Sequence, residues 1–507
     1  MSSHGVIPPR FMRTSVPIAI SAALLSACAV GPDYAPPPTP TPAKWAEAPL
    51  AAKDALRLND WWKTFNDPIL DHLIKEAVLS NFDVKLAESR IKEARANYTG
   101  TVAAGLPNLN ARGNLMRRRN NANIATSGTG GGGFSGGDQI IDIFQSGFDA
   151  SWELDFFGGV RRAIEAADAN LESEEEGRRD VLVTLLGEVA RNYIELRANQ
   201  QLLAVTRDNL RSQEETLQLT RLRRQAGLTS ELEVAQSEGL TAETRAQIPV
   251  YETTVQQSIH ALGLLLGQPP AKLIPRLEPE GPLPESAEPG LADLPAEVLR
   301  RRPDIRKAER KLAQANAEIG VATAELYPKI SLTAFLGLQN TNIATFTPVG
   351  KSWSLASSLS TPIFNWGRIQ ANIKAKEAFD EQAFFTYQAT VLKAFKEVED
   401  ALVAHAQARL RIAALRQAVD AQRLAMSLST ERWRNGLADY LDVLAAERGL
   451  FQGQRDLVDA QGKQSAQLVA LYKALGGGWQ VGEPLQKPAS DYFSRPAEFI
   501  LDHLHEK

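Results

Sequence analysis

Polar and apolar residues alternate without a break from Gly147 to Phe157. Phe148, Ala150, Trp152, Leu154 and Phe156 fall on one side; Asp149, Ser151, Glu153 and Asp155 fall on the other. Side chains of a strand point to opposite faces in turn, so this period of two predicts a strand with one apolar face. Three further runs follow the same rule. Leu109, Ala111, Gly113 and Leu115 oppose Asn108, Asn110, Arg112 and Asn114. Ile330, Leu332, Ala334, Leu336 and Leu338 oppose Ser331, Thr333 and Gln339, with Phe335 as the exception. Trp353, Leu355, Leu359 and Ile363 oppose Ser354, Ala356, Ser358 and Ser360. Each run is roughly 10–12 residues long, the length of a tilted membrane-spanning strand. A soluble sandwich alternates too. However, four strands are too few to close a barrel, which needs about eight, and an open edge in lipid leaves backbone groups unsatisfied. If these strands enter a membrane, several chains must share one barrel.

A second period appears in the longer segments. Between Gly159 and Gly227 there is no proline, and the sequence predicts about 65 residues of helix, a rod of about 100 Å. Leu182, Val189, Leu196, Leu203, Leu210 and Leu217 recur every seven residues along it. Val391, Val398, His405, Ile412, Val419, Met426 and Trp433 repeat the phase in a second rod. Such heptads predict a coiled-coil-like seam. Its second position is polar at Gln200, Arg207 and Glu214, as expected of helices packed side by side around a wet interior. His405 stands where Leu196 does, and reads as a seam histidine with a local partner rather than a ligand.

The rods turn around at matched segments, 224–234 and 434–443. Gly227 and Gly436 suit the left-handed conformation that ends a helix, and Ser230 and Asp439 suit the cap of the next. The two tips, Gly227-Leu228-Thr229-Ser230 and Gly436-Leu437-Ala438, are a candidate docking surface at the far end of the rods.

Strands and rods belong to a duplicated unit. Asn81, Asp83, Glu88, Ala94, Ala96 and Pro107 are matched 221 positions later by Arg302, Asp304, Glu309, Ala315, Ala317 and Pro328. Further on the offset is 209, with Gly227 matching Gly436 and Leu266-Gly267 matching Leu475-Gly476. A Gly-rich insertion, Thr126 to Gly137, absorbs the difference of 12. The expected organisation is a leader over 1–27, a tether and equatorial segment over 28–80, and a first repeat over 81–267. A Pro-rich linker over 268–295, a second repeat over 296–478 and an unrepeated tail over 479–507 follow. Duplication on this scale suits a symmetric wall or tube better than a single cleft.

Charge and chemistry narrow the function. The net charge is -4, and no basic stripe argues for nucleic acid. The short run Arg117–Arg119 reads as a solvated or headgroup-facing cluster. The single cysteine, Cys28, follows Arg10, Arg13 and a short apolar run from Val16 to Leu25, the layout of a signal peptide. Leu25-Ser26-Ala27-Cys28 resembles a bacterial lipobox, which implies an acylated Cys28. Ala29 rather than Asp in the next position implies, by resemblance to sorted lipoproteins, the outer membrane, and the prolines that follow make a tether. Met12 is an alternative start to Met1. His503 and His505 make no closed metal site. Gly130–Gly133 is followed by no Lys-Ser/Thr and is no phosphate loop. No nucleophile elbow or metalloprotease motif is present. No catalytic residue, metal or cofactor is expected.

Longer motifs carry a resemblance. Leu299-Arg300-Arg301-Arg302-Pro303-Asp304-Ile305, Ala317-Glu318-Ile319-Gly320-Val321-Ala322 and Tyr327-Pro328-Lys329-Ile330-Ser331-Leu332 are similar to the TolC-type outer-membrane factors. Pro362-Ile363-Phe364-Asn365-Trp366-Gly367-Arg368 and Trp433-Arg434-Asn435-Gly436 more closely resemble their lipoprotein (OprM/NodT-type) branch. The resemblance covers nearly the whole mature chain. It implies an α+β membrane protein acting as a homotrimer, with a shared 12-stranded barrel in the outer membrane and a long helical tunnel in the periplasm. The implied function is a passive duct for small molecules in a tripartite efflux system. The tips would meet a periplasmic adaptor protein that couples the duct to an inner-membrane pump of the RND type. The family's acidic iris at the tunnel entrance is carried to Asp439 and Asp442, although Ala438 stands where some members are acidic. A secretion or metal-efflux duct remains the alternative within the class. A periplasmic adaptor lipoprotein is the alternative outside it, and predicts one hairpin where this chain has two.

Overall fold

The computed structural model describes residues 29–38, 42, 45–46, 58–120, 139–285, 298, 300–346 and 350–481. The chain divides into two compact units. One comprises Met1–Pro36, Glu93–Leu171 and Arg310–Phe385; the other comprises Pro37–Lys92, Glu172–Glu309 and Thr386–Lys507. Each draws on both halves of the duplicated sequence. No described helix is long and apolar enough to cross a membrane.

The first unit is built on one antiparallel sheet in the order β1 (Asn108–Asn120), β2 (Gln139–Leu154), β3 (Lys329–Asn340) and β4 (Lys351–Ser360). The register places the alternating apolar positions on one face. Leu109, Ala150, Ala334 and Leu355 form one cross-strand row, and Ala111, Phe148, Leu336 and Trp353 the next. In the single chain this face lies open, with Leu336 66% and Trp353 77% exposed. The opposite face is polar. Arg112 lies 3.8 Å from Asp149 there, and the Ser331 and Ser358 hydroxyls hydrogen-bond at 2.7 Å.

Two features of the sheet depart from simple alternation. β2 begins at Gln139, well before the strict pattern at Gly147, because Ile140, Ile141 and Ile143 suit a strand and pair with the end of β1. Phe335, the exception in β3, is buried on the polar face. Gly147 and Gly337 are direct partners across the β2–β3 pairing. A Cβ at Gly147 would lie 2.5 Å from the Leu336 carbonyl oxygen and 2.9 Å from the Phe335 ring. The glycine pair therefore makes room for the ring, and the ring replaces the side chains that the glycines lack. The aromatic residue is the other half of a packing motif.

All four strands join helices at the same sheet end. α2 (Phe82–Ala104) and α5 (Pro303–Ala324) lead into β1 and β3; α3 (Gly159–Gln225) and α6 (Arg368–Arg434) follow β2 and β4. Asp155 secures one junction, because its carboxylate accepts the Val160 and Arg161 backbone N–H groups at 3.1 and 3.0 Å. A negative charge is favourable at that helix N-terminus.

The second unit holds most of both hairpins and residues 58–80. α1 (Pro68–Ser80) starts behind Asp67, whose carboxylate accepts from Ile69 and Leu70 N–H. The two rods, α3 and α6, are each 67 residues long, about 100 Å of helix. The returning helices α4 (Glu231–Leu265) and α7 (Tyr440–Ala474) are each 35 residues. Heptad positions Leu182, Val189, Leu196, Leu203, Leu217, Val391, Val398, Ile412, Val419 and Trp433 are buried, while Leu210 and Met426 are half-buried. Each fully buried aliphatic side chain contributes about 1.5–3 kcal/mol. His405 is buried in the same seam.

The polar seam positions behave in two ways. Arg207 pairs with Glu252 and Glu214 with Arg245, clipping α3 to α4 along a solvated edge. Gln200 departs from the wet-interior expectation. It is buried, and its amide donates to the Leu277 and Glu278 carbonyls at 2.8 and 3.1 Å. The first part of the Pro-rich linker packs there, so an amide is needed where neighbouring heptads place charges.

Both returning helices are tied at their C-termini in the same way. The Asn81 amide donates to Leu265 O at 2.9 Å, and the Arg302 guanidinium donates to Ala474 O at 2.8 Å. Asn81 and Arg302 are repeat partners, and so are Leu265 and Ala474. Arg302 also pairs with Asp304 and Glu397, each at 2.7 Å. A cation at a helix C-terminus complements the helix dipole. The arginine-rich motif at the start of the second repeat is thus a structural cross-tie.

Candidate functional site

The hairpin tips are built twice from the same backbone device. Gly227 and Gly436 take φ of 76° and 73°. Gly227 N–H donates to Arg224 O and Leu228 N–H to Arg223 O; Gly436 donates to Trp433 O and Leu437 to Arg432 O. This paired closure satisfies the last carbonyls of each rod. The next helix is then capped, by Ser230 accepting from Glu233 N–H and by Asp439 accepting from Leu441 N–H, both at 3.4 Å. Leu228, Leu232, Leu437 and Leu441 remain exposed. Thr229 and Ala438 are half-buried, and Asp439 and Asp442 face solvent. The structure therefore brings the docking candidates and both acidic candidates together in two adjacent turns.

Beneath the tips lies a small core of Leu240, Trp433, Tyr440, Val443 and Leu444, with Leu219 and Met426 against it. Arg223 joins the two hairpins. Its guanidinium donates to Arg434 O at 3.0 Å and stacks 4.8 Å above the Trp433 ring. Next along α7 stands Glu447, 6% exposed. Thr216 on α3 donates to its Oε1 at 3.1 Å, and Oε2 has no hydrogen-bond partner. Burial pushes its carboxyl up to about 7, opposed only by the Thr216 hydroxyl. Periodicity did not single out Arg223 or Glu447, because heptads mark the buried stripe but not the helix that faces it. Glu447 has Glu238 as its repeat partner, and that residue is an ordinary exposed partner of Arg221 at 2.6 Å.

Cys28 lies outside the described residues, but the segment after it is held firmly. Val30 N–H donates to Phe157 O at 3.0 Å. Buried Arg162 donates to Val30 O at 3.1 Å and to the Asp33 carboxylate at 2.6 Å. Residues 30–33 are thus fastened beside the end of β2. No described group of His, Cys, Asp and Glu side chains could hold a metal ion.

A sheet with one apolar and one polar face, on a chain that also forms two matched helical hairpins, is the architecture of an outer-membrane channel subunit. The chain belongs to the outer membrane efflux protein family, whose sequence profile matches residues 73–268 and 294–477. It is 35% identical over 469 residues to the solvent efflux pump outer membrane protein SrpC of Pseudomonas putida, covering 91% of this chain and 97% of that one. It is 31% identical over 479 residues to nodulation protein T of Rhizobium leguminosarum bv. trifolii, covering 93% and 98%. The solved outer-membrane channel OprN superposes with a TM-score of 0.83 at 32% identity, covering 89% of this chain and all of that one. The fold is that of TolC-type channels, and the chain is the outer-membrane component of an efflux system.

Proposed function

We propose that three copies of this chain pool their four-stranded sheets into one 12-stranded barrel and their hairpins into a periplasmic tunnel, forming a passive duct. The observation that carries this reading is the sheet itself. One face is an open apolar band, the other is polar, and among the described residues four strands in a row leave both edges unpaired. Lipid tolerates no such edge, and pooling removes it. Acylated Cys28 would anchor the duct in the membrane, with residues 30–33 fixing where the anchor enters.

The exported compounds are small molecules delivered by an inner-membrane pump of the RND type. The exposed leucines of the tips are the surface offered to the periplasmic adaptor. Asp439 and Asp442 act as the periplasmic gate, and adaptor binding favours the open state by contacting it better. Alanine at both positions is expected to raise leak conductance in planar bilayers and to weaken cation preference. Conductance and selectivity identical to the parent would remove both residues from the gate.

A further inference from the structure

The outward face of the sheet ends differently at its two ends. Past its helix-joined end, in the segments that link strands to helices, stand the exposed side chains Phe156, Ile363, Phe364 and Trp366. The Phe364 and Trp366 rings meet edge-on at 4.8 Å. At the loop-joined end the apolar band of β1 stops at Leu115, while on β2 exposed Ile140 continues it beside Arg119. By alternation, the next outward positions are Arg117 and Arg119 on β1. On β4, Lys351 stands two residues beyond Trp353 on that same face. All three cations are exposed. Asp142 stands beside them, 2.9 Å from the Arg117 Nε, and Arg119 is partnered as well, so exposure rather than a missing partner is what the three cations share. Arg118 points to the opposite face.

We propose that Arg117, Arg119 and Lys351 form a binding surface for the phosphate groups of a phosphorylated glycolipid, the lipopolysaccharide of the outer leaflet. This rests on the reading that the apolar face meets lipid. Eight residues of strand separate Leu109 from Arg117, about 27 Å along the chain, or about 20 Å of height at a tilt near 40°. That height brings the cations to the far margin of an apolar band of about 25 Å. Helices adjoin the other end, so the loop end faces away from the periplasm. Amphipathic rings suit an interface of ester and carbonyl groups. Guanidinium forks suit phosphate oxygens. The two rims thus match the two unlike leaflets of an asymmetric membrane. β1 and β4 are the edge strands, so in a shared barrel the strand that carries Lys351 in one copy neighbours the strand that carries Arg117 and Arg119 in the next. The surface is then completed across the copy–copy seam.

The test uses the full-length protein, purified from outer membranes, delipidated in detergent and titrated with bisphosphorylated lipid A by native mass spectrometry. The combined R117Q, R119Q and K351Q substitutions are expected to weaken binding about fivefold per cation, roughly a hundredfold in all. Arg118→Gln should leave binding unchanged. Enzymatically dephosphorylated lipid A should bind the parent as weakly as lipid A binds the triple variant, and phosphatidylglycerol should bind less well than lipid A. Equal binding of lipid A by parent and triple variant would overturn the proposal. So would full binding of the dephosphorylated lipid, or phosphatidylglycerol binding as tightly. Conductance in planar bilayers separates this surface from the duct reading. A conducting triple variant that has lost lipid A supports the surface; a conducting variant that keeps it rejects the surface and leaves the duct standing.

Discussion

Replacing Glu447 by glutamine is expected to remove a pH dependence of about 3 kcal/mol from the packing of the second hairpin tip. The side chain is buried against Thr216, with one oxygen unpartnered. Its carboxyl is pushed up from 4.5 to about 7. The folded state therefore holds the proton more tightly than the unfolded chain. The resulting stabilisation is fully present below about pH 4.5 and is lost as the pH rises through about 7. Hydrogen exchange at the α7 amides near residues 443–450, corrected for intrinsic rates, should show protection falling between pH 5 and pH 8. The fall should approach a hundredfold in the parent. The E447Q variant should stay flat and match the parent's acidic value. A parent with flat protection, or an E447Q variant that keeps the full slope, would show that this carboxyl is solvated.

The second large effect concerns the sheet. Leu336→Arg should cost about 2–4 kcal/mol per copy in a lipid-embedded barrel, because the charge would lie near the middle of the apolar band. Thr333→Arg provides the control, since Thr333 faces the polar side between Ser151 and Ala356. Urea-induced unfolding in lipid vesicles should separate the two variants, with Thr333→Arg close to the parent. Equal losses at both positions would mean that the two faces see the same solvent. In that case the sheet would not line a barrel.

The periodic features were legible in the sequence because each period has a single geometric meaning. Strict alternation marked all four strands and their outward faces, and heptads marked the buried stripe of both rods. Matched glycines located both tips, and their neighbours Ser230 and Asp439 act as the caps that the sequence suggests. What periodicity misses depends on long-range partners. The early start of β2 is set by pairing with β1. Phe335 breaks the alternation because a glycine pair on two other positions of the sheet opens space for it. Gln200 turns to a linker segment nearly 80 residues away in sequence. Arg302 was visible as part of a recognisable motif, yet its bond to Ala474 O appears only once the second hairpin returns to it. Glu447 is the sharpest case. Its repeat partner Glu238 is exposed, so local sequence alone does not reveal which of the two carboxylates is buried.

Those two glutamates also show how duplicated halves diverge in use. The repeats share lengths, turns and end ties, but the second tip carries the buried acid, the aromatic pair Trp433–Tyr440 and both exposed aspartates. The first tip relies on ion pairs such as Arg221–Glu238 and Arg224–Glu231. Exposed pairs of this kind contribute little, about 0–1 kcal/mol. The second hairpin therefore carries the group that responds to pH, and Arg223 and Thr216 both tie it to the first.

Pooling of the strands into one shared barrel is tested most directly by negative-stain electron microscopy of the detergent-solubilised protein, with no symmetry imposed. A hollow, threefold particle longer than the roughly 100 Å of a single rod is the predicted result. A compact or solid particle of one chain would contradict it, since the four strands would then have no partners to close their edges.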